Sequence, residues 1–284
     1  MPRGAKSAAA DPQDFLAELA DPARPPVPAE SVAVVVAHPD DETIGIGAQL
    51  PRLSGATIVL LTDGAPTSGT DAARLGFPSV AAYAATRRQE MQAALALAGV
   101  PLDALVAFDI PDQDASLDLP DLSRRLAELF RERGIGIVLT HAYEGGHPDH
   151  DAAAFAVRAA SRLGARRELA VAVIEMPFYH AGPEGWASQL FLPADDAPET
   201  VIPLNQAERD LKQRMMAAHV SQAEILGRMS LEAERFRPAP PHNFTKSPAD
   251  GPLLYESFGW GITGERWRNL ARAALAKLKL HEAS

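Results

Sequence analysis

Two short polar runs hold most of the chemistry open to this chain. One is His38-Pro39-Asp40-Asp41-Glu42; the other extends from His141 through His147-Pro148-Asp149-His150. They supply imidazoles and carboxylates, and the chain has no cysteine at all, which removes thiol nucleophiles, disulfide scaffolds, iron–sulfur clusters and Cys-based zinc sites. A His-carboxylate set suits zinc or another divalent first-row metal such as ferrous iron. Two histidines and one aspartate suffice for a catalytic zinc that keeps one position open for water. The carboxylate and imidazole groups left over can then move protons, one as a base beside the attacking water and one as an acid at the leaving group. That combination performs amide or ester hydrolysis. A single His-x-x-Asp is more often a loop cap than a ligand; the two runs carry weight because the fold should bring them together.

The elements around the runs explain why they meet. Val32 to Ala37 is a continuous β-branched and small apolar run, the pattern of a strand buried on both faces of a parallel sheet, and it ends at His38-Pro39. Further strands fit Ala56–Leu61, Leu105–Ile110 and Gly136–Thr140, with helical spacing at Thr43–Leu50, Ser79–Ala98, Leu119–Arg133 and Asp149–Leu163. Gly99 and Gly134 stand where helices stop. This βαβα alternation predicts an α/β fold, a doubly wound, Rossmann-like, mainly parallel sheet ordered 3-2-1-4-5 with right-handed crossovers. Strands one and four are then neighbours at the switch point, and each polar run lies at the carboxyl end of one of them.

Beyond Ala170 the pattern loosens. Strands are expected at Val171–Met176 and Thr200–Ile202, helices at Gln206–His219 and Ala271–Leu280, and a long surface loop from Arg237 to Pro252. Residues 1–30, rich in Ala, Asp and Pro, read as a flexible, loosely docked leader, and residues 31–284 as one domain whose part from about 170 is variable.

The residues at this point resemble a known family. Ala37 to Glu42 with the downstream His147-Pro148-Asp149-His150 is similar to the signature of the LmbE/PIG-L-type metal-dependent N-deacetylases, which act on N-acetylglucosamine-like substrates. The resemblance covers roughly Val32 to Arg158, including Leu61-Thr62-Asp63-Gly64 and Arg87-Arg88-Gln89-Glu90. It implies one Zn2+ per chain, held by His38, Asp41 and His150, with Asp40 as general base. It also implies that His147 stabilises the oxyanion and protonates the departing amine while Asp149 orients its ring, and that Arg87 contacts the substrate. Tyr143, in the loop before His147, is a second candidate for the pocket wall.

Two departures fall where a sugar would sit. Ala65-Pro66 follows Thr62-Asp63-Gly64 where many relatives carry an acidic residue, and Gly145 stands where some place a tyrosine. A weaker similarity covers Lys212 to Gln222, with His219-Val220-Ser221-Gln222, and assigns those residues no role.

The expected function is removal of an acetyl group from an N-acetylated sugar or related small amide, giving acetate and a free amine. Two other readings use the same ligands: a ferrous oxygenase with two histidines and one carboxylate, and a metal-containing binding protein without turnover. A dinucleotide site is set aside because Gly45-Ile46-Gly47 lacks a third glycine at Leu50. Formal charge is −10, with 27 basic and 37 acidic residues, so nucleic acid is not an expected partner. The absence of a long apolar run argues against a membrane span and for a cytoplasmic protein with a small-molecule substrate; a homo-oligomer is left open.

Overall fold

The computed structural model describes residues 11–23, 27–167, 169–183 and 185–281. Its main sheet has seven strands: β1 (Val32–Val36), β2 (Thr57–Pro66), β3 (Leu105–Asp112), β4 (Ile137–His141), β5 (Ala172–Met176), β6 (Thr200–Pro203) and β7 (Ala233–Pro238). Their order is 3-2-1-4-5-7-6. The first five pair in parallel, as the alternation predicts, and β7 and β6 add an antiparallel edge beside β5.

Every residue of β1 is buried, and alternation along the strand divides them between two cores. Ala33 and Val35 face a layer formed by α5 (Leu119–Arg133), α6 (Pro148–Ala165) and α9 (Gly264–Leu278). Val34 and Val36 face the opposite layer, containing α1 (Pro12–Ala20), α4 (Val80–Leu97) and α7 (Gln206–Ala218). Local chemistry sets the helix ends. The Ser79 and Asp118 side chains accept N–H groups at the starts of α4 and α5, Gly134 closes α5 in the left-handed region at φ 64°, and Asn205 with Glu208 forms a capping box on α7.

Four features depart from the sequence expectations. Within residues 1–30, α1 is a docked helix burying Phe15, Leu16 and Leu19, so the expected leader contains a packed element; residues 1–10 and 24–26 lie outside the described residues. The loop predicted from Arg237 starts inside β7, whose charged run Ala233-Glu234-Arg235-Phe236-Arg237 hides a strand because Glu234 and Arg237 are buried as ion pairs. Helix α9 starts at Gly264 under a Thr263 cap, seven residues before the predicted start. A hairpin, Tyr179–Gly182 with Gly185–Ser188, follows β5 where no strand pair is predicted.

Candidate metal centre and active site

Helix α2 (Asp41–Ile46) follows β1, and α6 follows β4 after a short loop. The two polar runs therefore meet above adjacent strands. His38 Nδ1 lies 3.2 Å from His150 Nε2 and 3.3 Å from Asp41 Oδ2, and Asp41 Oδ1 lies 3.4 Å from His150 Nε2. Among the described residues, the groups whose ligand atoms all lie within 4.8 Å of one another are His38 with His147 and His150, His38 with Asp112, His147 and Asp149, and Asp41 with His141 and His150. Ligands about 2.0–2.1 Å from a tetrahedral ion stand about 3.3–3.4 Å apart, which is the pairwise spacing of His38, Asp41 and His150, with a different Asp41 oxygen facing each imidazole. All three are buried, and the outer nitrogen of His38 turns away from the cluster toward Asp112 Oδ1 at 3.1 Å and Asp149 Oδ2 at 3.4 Å. A carboxylate behind a ligating imidazole fixes its tautomer and ring plane. Burial opposes ionisation of Asp41, yet the facing imidazoles of His150 and His141 hold its carboxyl well below the usual range.

His141 sits beside this cluster, but its Nε2 accepts the Ala37 N–H at 2.9 Å, which occupies that lone pair. Its structural task is to tie β4 to the end of β1.

Asp40 occupies the N-cap position of α2 with φ 139°, a backbone region rarely tolerated outside glycine, and its side chain makes no cap bond. The carboxylate is thereby released to the pocket. Arg87 Nη2 donates to Asp40 Oδ2 at 3.0 Å and to Pro39 O at 2.9 Å, while Nη1 donates to Gly64 O at 2.6 Å. Burial pushes the Asp40 carboxyl up to about 6, against the opposing Arg87 charge.

His147 is the N-cap of α6. Its Nδ1 accepts the Asp149 N–H at 3.1 Å, so the neutral ring carries its proton on Nε2, on the pocket side, 3.7 Å from Asp112 Oδ1. Burial, followed by the neighbouring His38, holds the ring well below the ordinary imidazole range. The pocket has a volume of about 290 Å3, and His38, Asp40, Asp41, Arg87, Asp112 and His147 share it with Tyr179, Trp186 and Trp260.

Three expected roles change. The Asp149 carboxylate is not on the His147 ring: it accepts Gln113 N–H at 2.6 Å and Ala115 N–H at 3.2 Å and faces His38, and only its backbone N–H meets His147. The Arg87 guanidinium reaches the pocket but spends its fork on Asp40 and two carbonyls of the protein itself. Tyr143 is a core residue, 4 % exposed, packed against Phe244 and Trp267 with its hydroxyl donating to Lys246 O.

Asp112 and Tyr179 escape the sequence reading. Asp112 ends β3, two strands from β1, and reaches His38 because the β2–β3 register shifts twice, between Leu60 and Thr62 and again between Thr62 and Pro66. A carboxylate just past a strand's carboxyl end was its available signal. Tyr179 comes from the unpredicted hairpin. A side chain at Gly145, where φ is +72°, would meet Leu253 Cδ2 at 2.6 Å; the phenols that line this pocket are those of Tyr83 and Tyr179.

The mainly parallel doubly wound sheet is also the fold of solved deacetylase structures. Residues 33–161 match the PIG-L family model, described as GlcNAc-PI de-N-acetylase, and this segment carries both polar runs. The chain is similar to a 1D-myo-inositol 2-acetamido-2-deoxy-alpha-D-glucopyranoside deacetylase of Catenulispora acidiphila, at 30% identity over 158 residues, covering 47% of this chain and 52% of the relative. It thus spans about half the length of the curated relatives it matches. Among solved structures, a deacetylase of teicoplanin biosynthesis aligns with TM-score 0.56 and 19% identity over 73% of this chain and 96% of the other. The 4-carboxy-2-hydroxymuconate hydratase GalB of Pseudomonas putida aligns with TM-score 0.52 and 19% identity over 75% and 98%. These likenesses define the fold; because a hydratase shares it, the reaction has to be argued from the site.

Proposed function

We propose that this protein is a metal-dependent amide hydrolase that removes the acetyl group from an N-acetylated, GlcNAc-like amino sugar or a related small amide. His38, Asp41 and His150 would hold one divalent cation, zinc or another first-row metal, on imidazole and carboxylate donors. When bound, such an ion supplies Lewis acidity to the attacking water and to the amide carbonyl. The protein's own groups do the rest. Asp40, ionised, takes a proton from the water as its oxygen bonds to the carbonyl carbon. His147 Nε2–H faces the pocket and donates a hydrogen bond to the oxyanion, and the proton taken up by Asp40 passes to the nitrogen as the C–N bond breaks, so that acetate and a free amine leave. Asp149 and Asp112 orient His38, and Arg87 holds Asp40 in place.

The observation that carries this reading is the pairing of a proton acceptor, Asp40, with a hydrogen-bond donor, His147 Nε2–H, in one pocket with His38 and Asp41. A redox site of two histidines and one carboxylate has no use for that base and donor. The test is metal content of protein purified without added metal, together with acetate release from a panel of N-acetylated amino sugars with and without a chelator. About one metal per chain with chelator-sensitive acetate release supports the proposal. Metal with oxygen consumption and no acetate would replace it with the oxygenase reading.

A further inference from the structure

The segment Lys212–Gln222 has no part in the chemistry above, yet two of its charged or polar residues, Lys212 and His219, are turned inward. His219 and Lys212 are fully buried while Val220 between them and Gln222 is 73 % exposed, the reverse of what burial of apolar surface would select. Its contacts explain the inversion. On one side it holds α2. Lys212 Nζ donates to Ile44 O at 2.7 Å and to Glu234 Oε1 at 2.6 Å, and that carboxylate accepts the Ala48 N–H at 2.9 Å. His219 Nε2 lies 3.3 Å from Thr43 Oγ1 and 3.5 Å from Glu42 Oε1; Thr43 Oγ1 donates to the same oxygen at 2.7 Å. The other oxygen of Glu42 accepts the Asp40 N–H at 3.2 Å.

On its other side the segment holds α4. Ser221 N–H and Oγ donate to Glu90 at 2.9 and 2.6 Å, and Gln222 Nε2 donates to Tyr83 Oη at 2.7 Å. Tyr83 and Glu90 stand four residues before and three after Arg87, on the same face of that helix as the guanidinium that grips Pro39 and Asp40.

We infer that Lys212–Gln222 is a positioning clasp, with His219 and Glu42 as its central link, which joins α2 to α4 and holds Asp40 in its strained, pocket-facing conformation. A non-glycine residue at φ 139° persists only where its surroundings over-determine it, and here the main chain is held through Glu42 and the side chain through Arg87. The functional consequence rests on the reading of Asp40 as the general base.

The test compares full-length wild type, His219→Leu and His219→Gln for metal content, thermal midpoint, kcat, KM and the exchange rate of the Asp40 amide proton. In His219→Leu, kcat falls roughly 10- to 100-fold with KM within about twofold and metal content unchanged, and the Asp40 amide exchanges at least about tenfold faster. His219→Gln, whose amide group can donate toward the same oxygens, recovers most of both losses. Wild-type kcat and wild-type amide exchange in His219→Leu would overturn the clasp, as would a loss explained by the unfolded fraction alone. If His219→Leu does not fold, the double variant Ser221→Ala/Gln222→Leu releases the α4 side and is judged by the same measurements. A wild type that hydrolyses no amide would sink the hydrolase reading, while amide exchange would still decide the clasp.

Discussion

Arg87 Nη2 stands 3.0 Å from Asp40 Oδ2 with both side chains buried, and the same guanidinium accounts for two backbone carbonyls that flank the pocket. The pair joins a residue of the first polar run to the middle of α4, so placement of the candidate base depends on a helix more than forty positions away.

Arg87→Lys keeps the charge but not the fork, and one ammonium cannot reach Gly64, Pro39 and Asp40 in the same planar geometry. We expect kcat to fall roughly 10- to 100-fold with metal content intact. Arg87→Met also removes the charge that lowers the Asp40 pKa. The sign follows: the carboxyl rises further above about 6, less of the base is ionised at a given acidic pH, and the acid limb of the kcat/KM profile moves to higher pH.

Gly64→Ala should produce the same phenotype without touching either partner. Gly64 has φ +69°, and a Cβ there would meet Arg87 Cζ at 2.6 Å and Pro39 Cδ at 2.8 Å. Activity loss with displacement of Arg87, seen in a structure of the variant, is the expected result; an unaltered Arg87 with full activity would contradict it.

Asp40→Asn removes the proposed base and leaves the three proposed metal ligands in place. Bound metal stays near wild-type stoichiometry while acetate release falls about 10²-fold or more, measured on the same preparation. Normal turnover would assign the base elsewhere.

Chelation should act on stability as well as activity, because it leaves lone pairs and a buried carboxylate crowded within 3.2–3.4 Å. A ligand that binds only the native state stabilises it by about 2.7 kcal/mol at a hundred times its Kd. The thermal midpoint should therefore fall on chelation and climb with added zinc, read by calorimetry.

Asp151 offers a pH prediction. Its carboxyl is fully buried and accepts the N–H groups of Glu144 and Gly145, and burial raises its pKa well above the usual carboxylate range. The native chain therefore holds this proton more tightly than the unfolded one. Its contribution to stability is greatest below about pH 4 and is lost as pH rises through the native pKa. Asp151→Asn, which keeps an acceptor and cannot ionise, should melt higher than wild type near pH 7.5 and approach it near pH 4, read by calorimetry at both pH values.

Much of this was legible in the sequence because two strong periodic signals bracket the site. The buried run Val32–Val36 and the run Ile137–Leu139 announce adjacent parallel strands, and chain order alone places His38 and His150 at their carboxyl ends. What escaped depends on contacts distant in the chain. Asp112 looks like an ordinary loop carboxylate until two register shifts carry it to His38, and the partner of Arg87, expected from the sequence to contact substrate, is Asp40 on the first polar run. β7 was hidden because its buried charges are neutralised by partners on β5 and α7, which no local pattern records.

The irregular pairing of β2 with β3 has a further consequence, for solubility. β3 is an edge strand, and a long flat edge is a template on which another chain can add a strand. This edge carries Pro111, which has no N–H to offer, and Asp109 at φ 57°, paired with Arg88, beside the two register shifts that bend it. At the opposite edge, β6 is four residues long and ends at Pro203. The distortion that delivers Asp112 to His38 also spoils the sheet as a nucleus for aggregation, so regularising β3 to strengthen the fold would endanger both the site and the protein's resistance to precipitation.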